Sequence, residues 1–389
     1  MLKRFLRVAF VAAFVLFLIA GAVRTLFLPK DMNYYENRYA NKLQTPTVED
    51  CLAGTFQSQV ESALNDQVPF AQHQKKLYND LTNQYMISLM RPVLENNPDR
   101  YINYGSLRLF GSKWITYYTM PLDTVAGDFS NRADNFNKYF NSFPDADFYV
   151  YYIETDAAID FESGNKNGAY EYLKERLSLP ETQISRFEVN SFEEYSRLFY
   201  QTDHHWDYRG SYRAYRELVD LLGIEGETIV PMEELMVAES FAGSKAITVG
   251  ALAFNEPFVA YRFEYPQMDV WINGEPAQDY GRQNEYFAGA TDPISYGNFY
   301  GPDMGEVILS TGQEDKENIL VLGESYDNAV LKLLASHYNT LYSVDLRYYE
   351  NYMGEKFAFS SYMQTHDIDK VLLIGSLSFF RAPDFVLEN

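Results

Sequence analysis

The sequence contains one cysteine, Cys51, in 389 residues. A single cysteine excludes an intramolecular disulfide and a cluster of thiolate ligands around a metal. Basic residues are also scarce, because 32 Lys and Arg stand against 54 Asp and Glu, for a formal net charge of -22. Nucleic acids are bound through clustered Lys and Arg, so this balance argues against a nucleic-acid partner. The acidic residues are spread along the chain, and we attribute them mainly to solubility.

The composition excludes a disordered chain. Hydrophobic residues make up 47 % of the sequence and aromatic residues 16 %, which is more than a chain without a packed core carries. The length allows one large domain, or one domain with an insertion.

The long apolar run lies at the N-terminus. Lys3, Arg4 and Arg7 precede an apolar stretch at 8–23, a pattern typical of a secretory signal or a membrane anchor. We favour a retained anchor over residues 1–28, with the basic residues in the cytoplasm and the main domain outside. Cleavage of the segment, which would release a secreted protein, is the alternative. An exported protein without disulfides is consistent with a bacterial cell surface.

The rest of the chain is predicted to form a neck and a larger domain. Residues 29–100 carry apolar residues at helical spacing and predict a helical neck. An uninterrupted apolar run at 148–153 is typical of a strand buried on both faces. From residue 307 onward, strand and helix patterns alternate. We therefore predict an α/β domain over 101–389, with three layers around a mostly parallel sheet.

Residues 225–305 interrupt the α/β pattern with Gly, Pro and alternating aromatic segments, which predict a β-rich insertion. We expect its large aromatic side chains to pack within the sheet, and a wall for stacking sugar rings is the alternative. These residues are Tyr261, Tyr265, Trp271, Tyr280 and Tyr286. After the insertion, the pattern predicts strands at 318–322, 340–344 and 370–374 and a helix at 327–337.

Two short segments carry the groups of a serine nucleophile system. Asp203-His204-His205-Trp206 offers a carboxylate and an imidazole two positions apart, and Ser325 follows a short apolar run that ends in glycine. If the segments meet, His205 can take the Ser325 proton while Asp203 holds the imidazole in the required tautomer. The helix predicted after Ser325 would place its amide at a helix N-terminus, where a developing oxyanion is stabilised.

Each segment also has a simpler interpretation. A serine after a strand and a glycine is often a helix N-cap. Both histidines, with Asp203 and Asp207, offer the atoms of a metal site, although no further spaced histidine supports one. We therefore predict neither a metal nor another cofactor.

Several sequence blocks, in this order, resemble the DHHW protein family, which is similar to the SGNH-hydrolase-like proteins that acetylate alginate and other exopolysaccharides. The blocks are Glu36-Asn37-Arg38, Gly54-Thr55-Phe56, Asp66-Gln67-Val68-Pro69, Asp203-His204-His205-Trp206, Gly323-Glu324-Ser325-Tyr326 and Asp345-Leu346-Arg347-Tyr348-Tyr349. They cover most of the chain after the anchor. One position departs from the family pattern, because Glu324 stands where the serine block usually has aspartate.

The resemblance implies an SGNH-like fold and a triad of Asp203, His205 and Ser325. It implies an extracytoplasmic esterase or O-acetyltransferase that acts on a cell-surface or secreted polysaccharide through an acyl-serine intermediate. The expected partners are a carbohydrate polymer, an acyl donor and a membrane-bound acyl carrier or exporter. Because the serine comes last in the chain, we expect a strand order rearranged relative to ordinary SGNH hydrolases.

Three further residues are candidates for contact with the substrate or the oxyanion: Tyr326, Arg347 and Trp206. For Arg347, a structural ion pair is the alternative. For the whole protein, the alternative to an enzyme is a non-catalytic surface protein that binds a glycan or a partner on an SGNH-like scaffold.

Overall fold

An eight-stranded sheet is the central feature of the fold, which we describe from a computed structural model of the protein. The structure describes residues 2–33, 38–43, 45–68, 70–97, 100–111, 114–248, 256–383 and 385–388. Glu36, Asn37 and Pro69 of the DHHW-like blocks lie outside these ranges. The chain forms two compact units, one of residues 1–93 and 246–254 and one of residues 94–245 and 255–389.

The first unit is mainly helical. Up to residue 95 the elements are α1 (Leu2–Phe27), β1 (Met32–Asn33), β2 (Arg38–Tyr39), α2 (Val48–Ala53), α3 (Thr55–Gln67) and α4 (Ala71–Glu95). Helix α1 is long and apolar enough to cross a membrane, which fits a single-pass anchor or a signal sequence. At the end of α3, Gln67 accepts the Lys30 N–H at 2.6 Å and Asp66 accepts the Asn41 N–H at 2.7 Å. These buried side chains fix the segment that follows α1.

The second unit is a mixed α/β structure. Its elements are β3 (Tyr101–Tyr104), β4 (Leu107–Phe110), β5 (Trp114–Thr116), α5 (Ala126–Phe140), β6 (Asp147–Ile153), β7 (Ile159–Asp160), β8 (Asn165–Lys166), α6 (Ala169–Lys174), β9 (Ile184–Phe187), α7 (Phe192–Leu198), α8 (Tyr208–Leu221), β10 (Glu233–Phe241), α9 (Ser244–Thr248), β11 (Glu256–Arg262), β12 (Asp269–Ile272), β13 (Glu275–Ala277), α10 (Gln283–Phe287), α11 (Tyr296–Tyr300), β14 (Glu306–Ser310), β15 (Asn318–Leu322), α12 (Leu331–Ala335), β16 (Thr340–Val344), α13 (Tyr349–Met353), α14 (Phe359–Thr365), β17 (Lys370–Ser376) and α15 (Leu377–Arg381). The strands predicted at 148–153, 318–322, 340–344 and 370–374 are confirmed.

The large sheet has the strand order β13-β12-β14-β16-β15-β17-β6-β9. Neighbouring strands from β16 to β9 are parallel, and those from β13 to β16 are antiparallel. The sheet is therefore mixed, and the prediction of a mostly parallel sheet is not confirmed. The antiparallel part consists of β14 and the tight hairpin of β12 and β13, two strands from the region predicted as an insertion. Asn273 and Gly274 form that turn with φ of 52° and 80°, the positive values that a two-residue hairpin requires.

Strand β15 is buried on both faces of the sheet. Ile319 and Val321 belong to one hydrophobic cluster, and Leu320 and Leu322 belong to the other. Helices α8 and α12 contribute to the first cluster, and α5 and α14 contribute to the second. This arrangement explains the unbroken apolar run in the sequence, because a strand covered on both faces shows no polar alternation.

The aromatic residues of the insertion contribute mainly to the core. Tyr280 is 1 % exposed and Tyr286 is 5 % exposed. Tyr261 packs against the ring of Tyr212 on α8. For Tyr280 and Tyr286 the interpretation as packing fits the structure, since buried rings offer no face to a sugar.

Candidate active site

Ser325 lies just beyond the carboxyl end of β15, the edge at which α/β sheets place their sites. The turn before it requires glycine, since a Cβ on Gly323 would collide with the Asp327 carboxylate. Glu324 is buried, and its carboxylate accepts the Ser376 N–H at 2.7 Å and the Ser376 hydroxyl at 2.5 Å. The glutamate that departs from the family pattern therefore joins the ends of β15 and β17.

The segment with Asp203 and His205 is a tight loop that leads into α8. Phe199 and Trp206 close the loop with an antiparallel bridge, and Trp206 is fully buried. The next residue, Asp207, caps α8 by accepting two backbone N–H groups of its first turn, at 2.8 and 3.0 Å. A bridge at one end and a capped helix at the other hold the loop in place.

Asp203, His205 and Ser325 form a continuous hydrogen-bonded chain. The Asp203 Oδ1 lies 2.6 Å from His205 Nδ1 and also accepts the His205 backbone N–H at 3.0 Å. The His205 Nε2 lies 2.7 Å from Ser325 Oγ. Burial alone would raise the pKa of Asp203, but the His205 imidazole beside it holds that pKa far below its usual range. The carboxylate therefore stays ionised and can orient the imidazole.

A third loop, which the sequence interpretation missed, completes the support of Asp203. The Ser244 N–H donates to Asp203 Oδ2 at 2.7 Å, so both carboxylate oxygens are engaged. Gly243 makes this approach feasible, because a Cβ there would collide with Asp203. The Ser244 Oγ also lies 2.6 Å from His204 Nδ1. Neither residue carries a sequence pattern that marks it, since the contact joins distant parts of the chain.

Aromatic rings pack around the His205 imidazole. Tyr296 stacks on His205 with ring centroids 3.8 Å apart and an interplanar angle of 1°. Its hydroxyl accepts the Trp206 indole N–H at 3.2 Å, and the Tyr326 hydroxyl donates to the His204 carbonyl at 2.5 Å. Trp206 is 0 % exposed and Tyr326 is 3 % exposed. Both rings hold the loop in position and have almost no surface to offer a substrate.

The side chains that the metal-site interpretation would use as ligands make polar contacts with one another and with nearby serines. Ligand atoms of Asp203, His204 and His205 lie within 4.8 Å of one another. Their closest polar contacts are to each other, to Ser244 and to Ser325, whereas Asp207 caps α8. Burial, with the neighbouring His205, lowers the pKa of His204 to about 3, so this imidazole is uncharged at neutral pH.

Comparison with known proteins shows similarity at the level of the fold. No family model matches the sequence, and no curated protein matches it. A DHHW family protein from Eubacterium siraeum aligns with a TM-score of 0.57 and 16% identity, over 74% of this chain and 98% of that chain. The fold is similar to that of a DHHW family protein. Bacillus cereus PatB1 aligns with a TM-score of 0.56 and 16% identity, over 75% of this chain and 100% of that chain, and a PatB1 structure with a sulfonyl adduct gives 0.55.

The resemblance drawn from the sequence blocks is thereby confirmed at the level of fold. In this DHHW-like fold, the Arg347 guanidinium lies 2.5 Å from one Asp345 oxygen and 3.1 Å from Asp303. Burial raises the pKa of Asp345 to about 6 even with this partner. Arg347 therefore makes the structural ion pair that the sequence analysis gave as the alternative to a substrate contact.

Asp327 offers a test of these buried carboxylates through the pH dependence of stability. Burial, with Asp345 and Asp303 nearby, raises the pKa of Asp327 well above its ordinary value. The native state then keeps a proton that the unfolded chain has released, so the Asp327 contribution to stability falls as pH rises above about 4. Asp327→Asn mimics the protonated acid. We expect the variant to gain about 1 kcal/mol or more relative to the wild type between pH 4 and pH 8, measured by urea unfolding at both.

The matched control for Asp327→Asn is Asp303→Asn. Asp303 pairs with Arg347 and accepts the Asn328 amide at 3.0 Å, so its replacement should destabilise the protein at pH 8. An Asp327→Asn variant whose stability difference from the wild type is the same at both pH values would contradict the raised pKa.

Proposed function

We propose that this chain is an extracytoplasmic, membrane-anchored serine esterase or O-acetyltransferase that acts on a cell-surface or secreted polysaccharide. The observation that carries the proposal is the hydrogen-bonded chain from Asp203 through His205 to Ser325, with distances of 2.6 and 2.7 Å. The likeness of fold to a DHHW family protein and to PatB1 supports it. The apolar helix α1 supports export and attachment to the membrane.

In the first half of the reaction, Ser325 Oγ attacks the acyl carbonyl of the donor while His205 Nε2 takes the hydroxyl proton. The new Oγ–C bond forms, the bond to the leaving group breaks, and the leaving group departs with the proton from His205. Asp203 stabilises the imidazolium that exists between these transfers. We assign the backbone amide of Ser325 to the oxyanion of the tetrahedral intermediate. A 3-10 turn at Asp327–Ala329, followed by α12, replaces the longer helix predicted after this residue.

In the second half, a hydroxyl group attacks the acyl-serine ester. His205 takes the hydroxyl proton and returns it to Ser325 Oγ as the ester bond breaks. A sugar hydroxyl gives an O-acetylated glycan, and water gives hydrolysis, so access of water to the acyl-enzyme decides between transferase and esterase. A membrane-bound acyl carrier is the partner we propose for supplying the donor, since α1 would keep the enzyme at the membrane.

The proposal predicts a covalent acetyl adduct on Ser325. The full-length chain in detergent would be exposed briefly to p-nitrophenyl acetate, and its intact mass and peptide map would be measured. We expect one acetyl group on Ser325 in the wild type and none in Ser325→Ala or His205→Ala. A sulfonyl fluoride is a second probe, prompted by the sulfonyl adduct of PatB1.

A histidine outside the site serves as the control for this adduct. His337 Nε2 lies 2.7 Å from the Tyr215 hydroxyl, so His337→Ala should keep the acetyl adduct. A wild-type protein that neither reagent modifies would contradict the nucleophile assignment and would favour a non-catalytic binding protein. Candidate oligosaccharides added to the acetyl-enzyme would then separate transfer from hydrolysis.

A further inference from the structure

The segment that follows β5 is anchored beside the triad. The Ile115 N–H donates to the Gln201 carbonyl at 3.1 Å, two residues before Asp203. Two residues further on, the Tyr117 N–H donates to the Asp156 carboxylate at 2.7 Å. Both bonds tie this extended segment to the loops that surround the catalytic groups, so its side chains are held in fixed positions.

The segment presents two consecutive tyrosines on opposite sides, as an extended backbone does. The Tyr117 ring lies beside Lys245, whose Nζ is 4.8 Å from the ring centroid. Lys245 directly follows Ser244, the residue that holds Asp203. The Tyr118 ring instead lies over Arg108, with the guanidinium carbon 4.4 Å from its centroid.

Tyr117 combines this position with an open ring surface. It is 40 % exposed, although Lys245 lies over its ring. Burial raises the pKa of Tyr117, and the carboxylates of Asp156, Asp203 and Glu324 raise it further, which agrees with a hydroxyl close to the triad. Tyr117 therefore offers the free aromatic surface that the buried rings around His205 lack.

The charges around Tyr117 favour a neutral ligand. Lys245 is fully buried, and its Nζ lies 2.5 Å from an Asp156 oxygen. The Arg347 guanidinium is likewise paired, with Asp345 and Asp303. Both cations are thus neutralised within the protein, and the net charge of -22 repels anionic polymers. A sugar carboxylate would find no unpaired cation in these two groups.

We propose that Tyr117 is the stacking platform of an acceptor subsite for a neutral glycan. The inference rests on the proposed function and identifies where the receiving sugar lies. A pyranose ring has an apolar face of C–H groups, and an aromatic ring buries such a face without requiring a charge. A ring on the open surface of Tyr117 would place its neighbouring hydroxyls near the acyl group on Ser325.

The test is direct binding of the full-length chain, in detergent, to immobilised cello-, chito- and xylo-oligosaccharides. The wild type should bind at least one of these neutral series. Tyr117→Ala should weaken that binding about tenfold, which corresponds to about 1.4 kcal/mol. Tyr117→Phe keeps the ring and should bind as the wild type does.

Tyr118→Ala is the matched control, because Tyr118 is 37 % exposed and has a cation over its ring, but it lies on the other side of the segment. It should leave glycan binding unchanged. The proposal is overturned if the wild type binds none of the oligosaccharides, if Tyr117→Ala binds as tightly as the wild type, or if Tyr118→Ala loses as much. Binding does not require acyl-Ser325, so failure here is distinct from failure of the adduct test.

Discussion

Asp203→Asn is expected to lower kcat for p-nitrophenyl acetate hydrolysis by about a thousand- to ten-thousand-fold. Each of the three groups that contact this carboxylate is an N–H donor: the His205 backbone and ring on Oδ1, and the Ser244 backbone on Oδ2. An asparagine has one acceptor oxygen and an NH2 group. The NH2 group must face a donor in either orientation, so the site cannot accommodate the substitution unchanged.

The two orientations of the asparagine fail in different ways. If the oxygen faces His205, the NH2 group opposes the Ser244 N–H and displaces the loop that supports Asp203. If the amide is flipped, the NH2 group forces the other imidazole tautomer, in which Nε2 carries the proton and cannot accept it from Ser325. The flipped amide removes the general base, and the other orientation displaces the loop that supports it, while both leave the nucleophile in place.

The control for Asp203→Asn is Asp207→Asn, a second buried carboxylate in the same loop. Asp207 caps α8 through Oδ1 alone, and asparagine caps helices as well as aspartate does, so its replacement should change stability by less than about 1 kcal/mol and leave kcat close to that of the wild type. Steady-state kinetics and thermal unfolding on the same samples would separate the two effects. A folded Asp203→Asn variant with the kcat of the wild type would remove Asp203 from the mechanism.

Lys245→Met is expected to destabilise the protein by about 3 to 5 kcal/mol. Lys245 is fully buried, and its ammonium group lies 2.5 Å from an Asp156 oxygen and 2.9 Å from the Tyr195 hydroxyl. The second Asp156 oxygen is buried without a hydrogen-bond partner among the described residues. Loss of the ammonium group would therefore leave Asp156 as a buried charge with only neutral donors beside it.

The double variant Lys245→Met with Asp156→Leu distinguishes a charge effect from a packing effect. Replacing both ions by apolar side chains removes the uncompensated charge, so we expect most of the lost stability to return. Urea unfolding of the wild type, both single variants and the double variant would give the coupling free energy. A double variant no more stable than Lys245→Met would show that packing, not charge, is what Lys245 contributes.

Local patterns in the sequence were sufficient for the strands and for the contact between Asp203 and His205. Strands β6 and β15 carry apolar runs bounded by polar residues, as expected for strands buried on both faces. Asp203 and His205 are neighbours in the chain, so their contact is nearly fixed by spacing. That this pair meets Ser325 was an assumption, because no local pattern fixes a contact between residues 120 positions apart.

The features that the sequence did not reveal depend on contacts between distant segments. Ser244 and Tyr296, at the starts of α9 and α11, reach Asp203 and His205 from separate parts of the chain, and no periodic pattern marks either residue. The prediction missed the antiparallel part of the sheet because the residues of β12 and β13 were assigned to a separate insertion. The Asn273-Gly274 pair was the available signal, since this dipeptide is the strongest short indicator of a hairpin.

The position of β17 constrains how the protein can be made. This late strand lies between β15 and β6, and Lys370 pairs with Asp147 from near the other end of the unit. Until β17 has been synthesised, β6 lacks its neighbour on that side, and the ends of β15 and β17 cannot be joined by Glu324. A chain that folds during synthesis would hold β6 and β15 without this neighbour until β17 emerged, and the edge of the sheet with Ser325 would be assembled late.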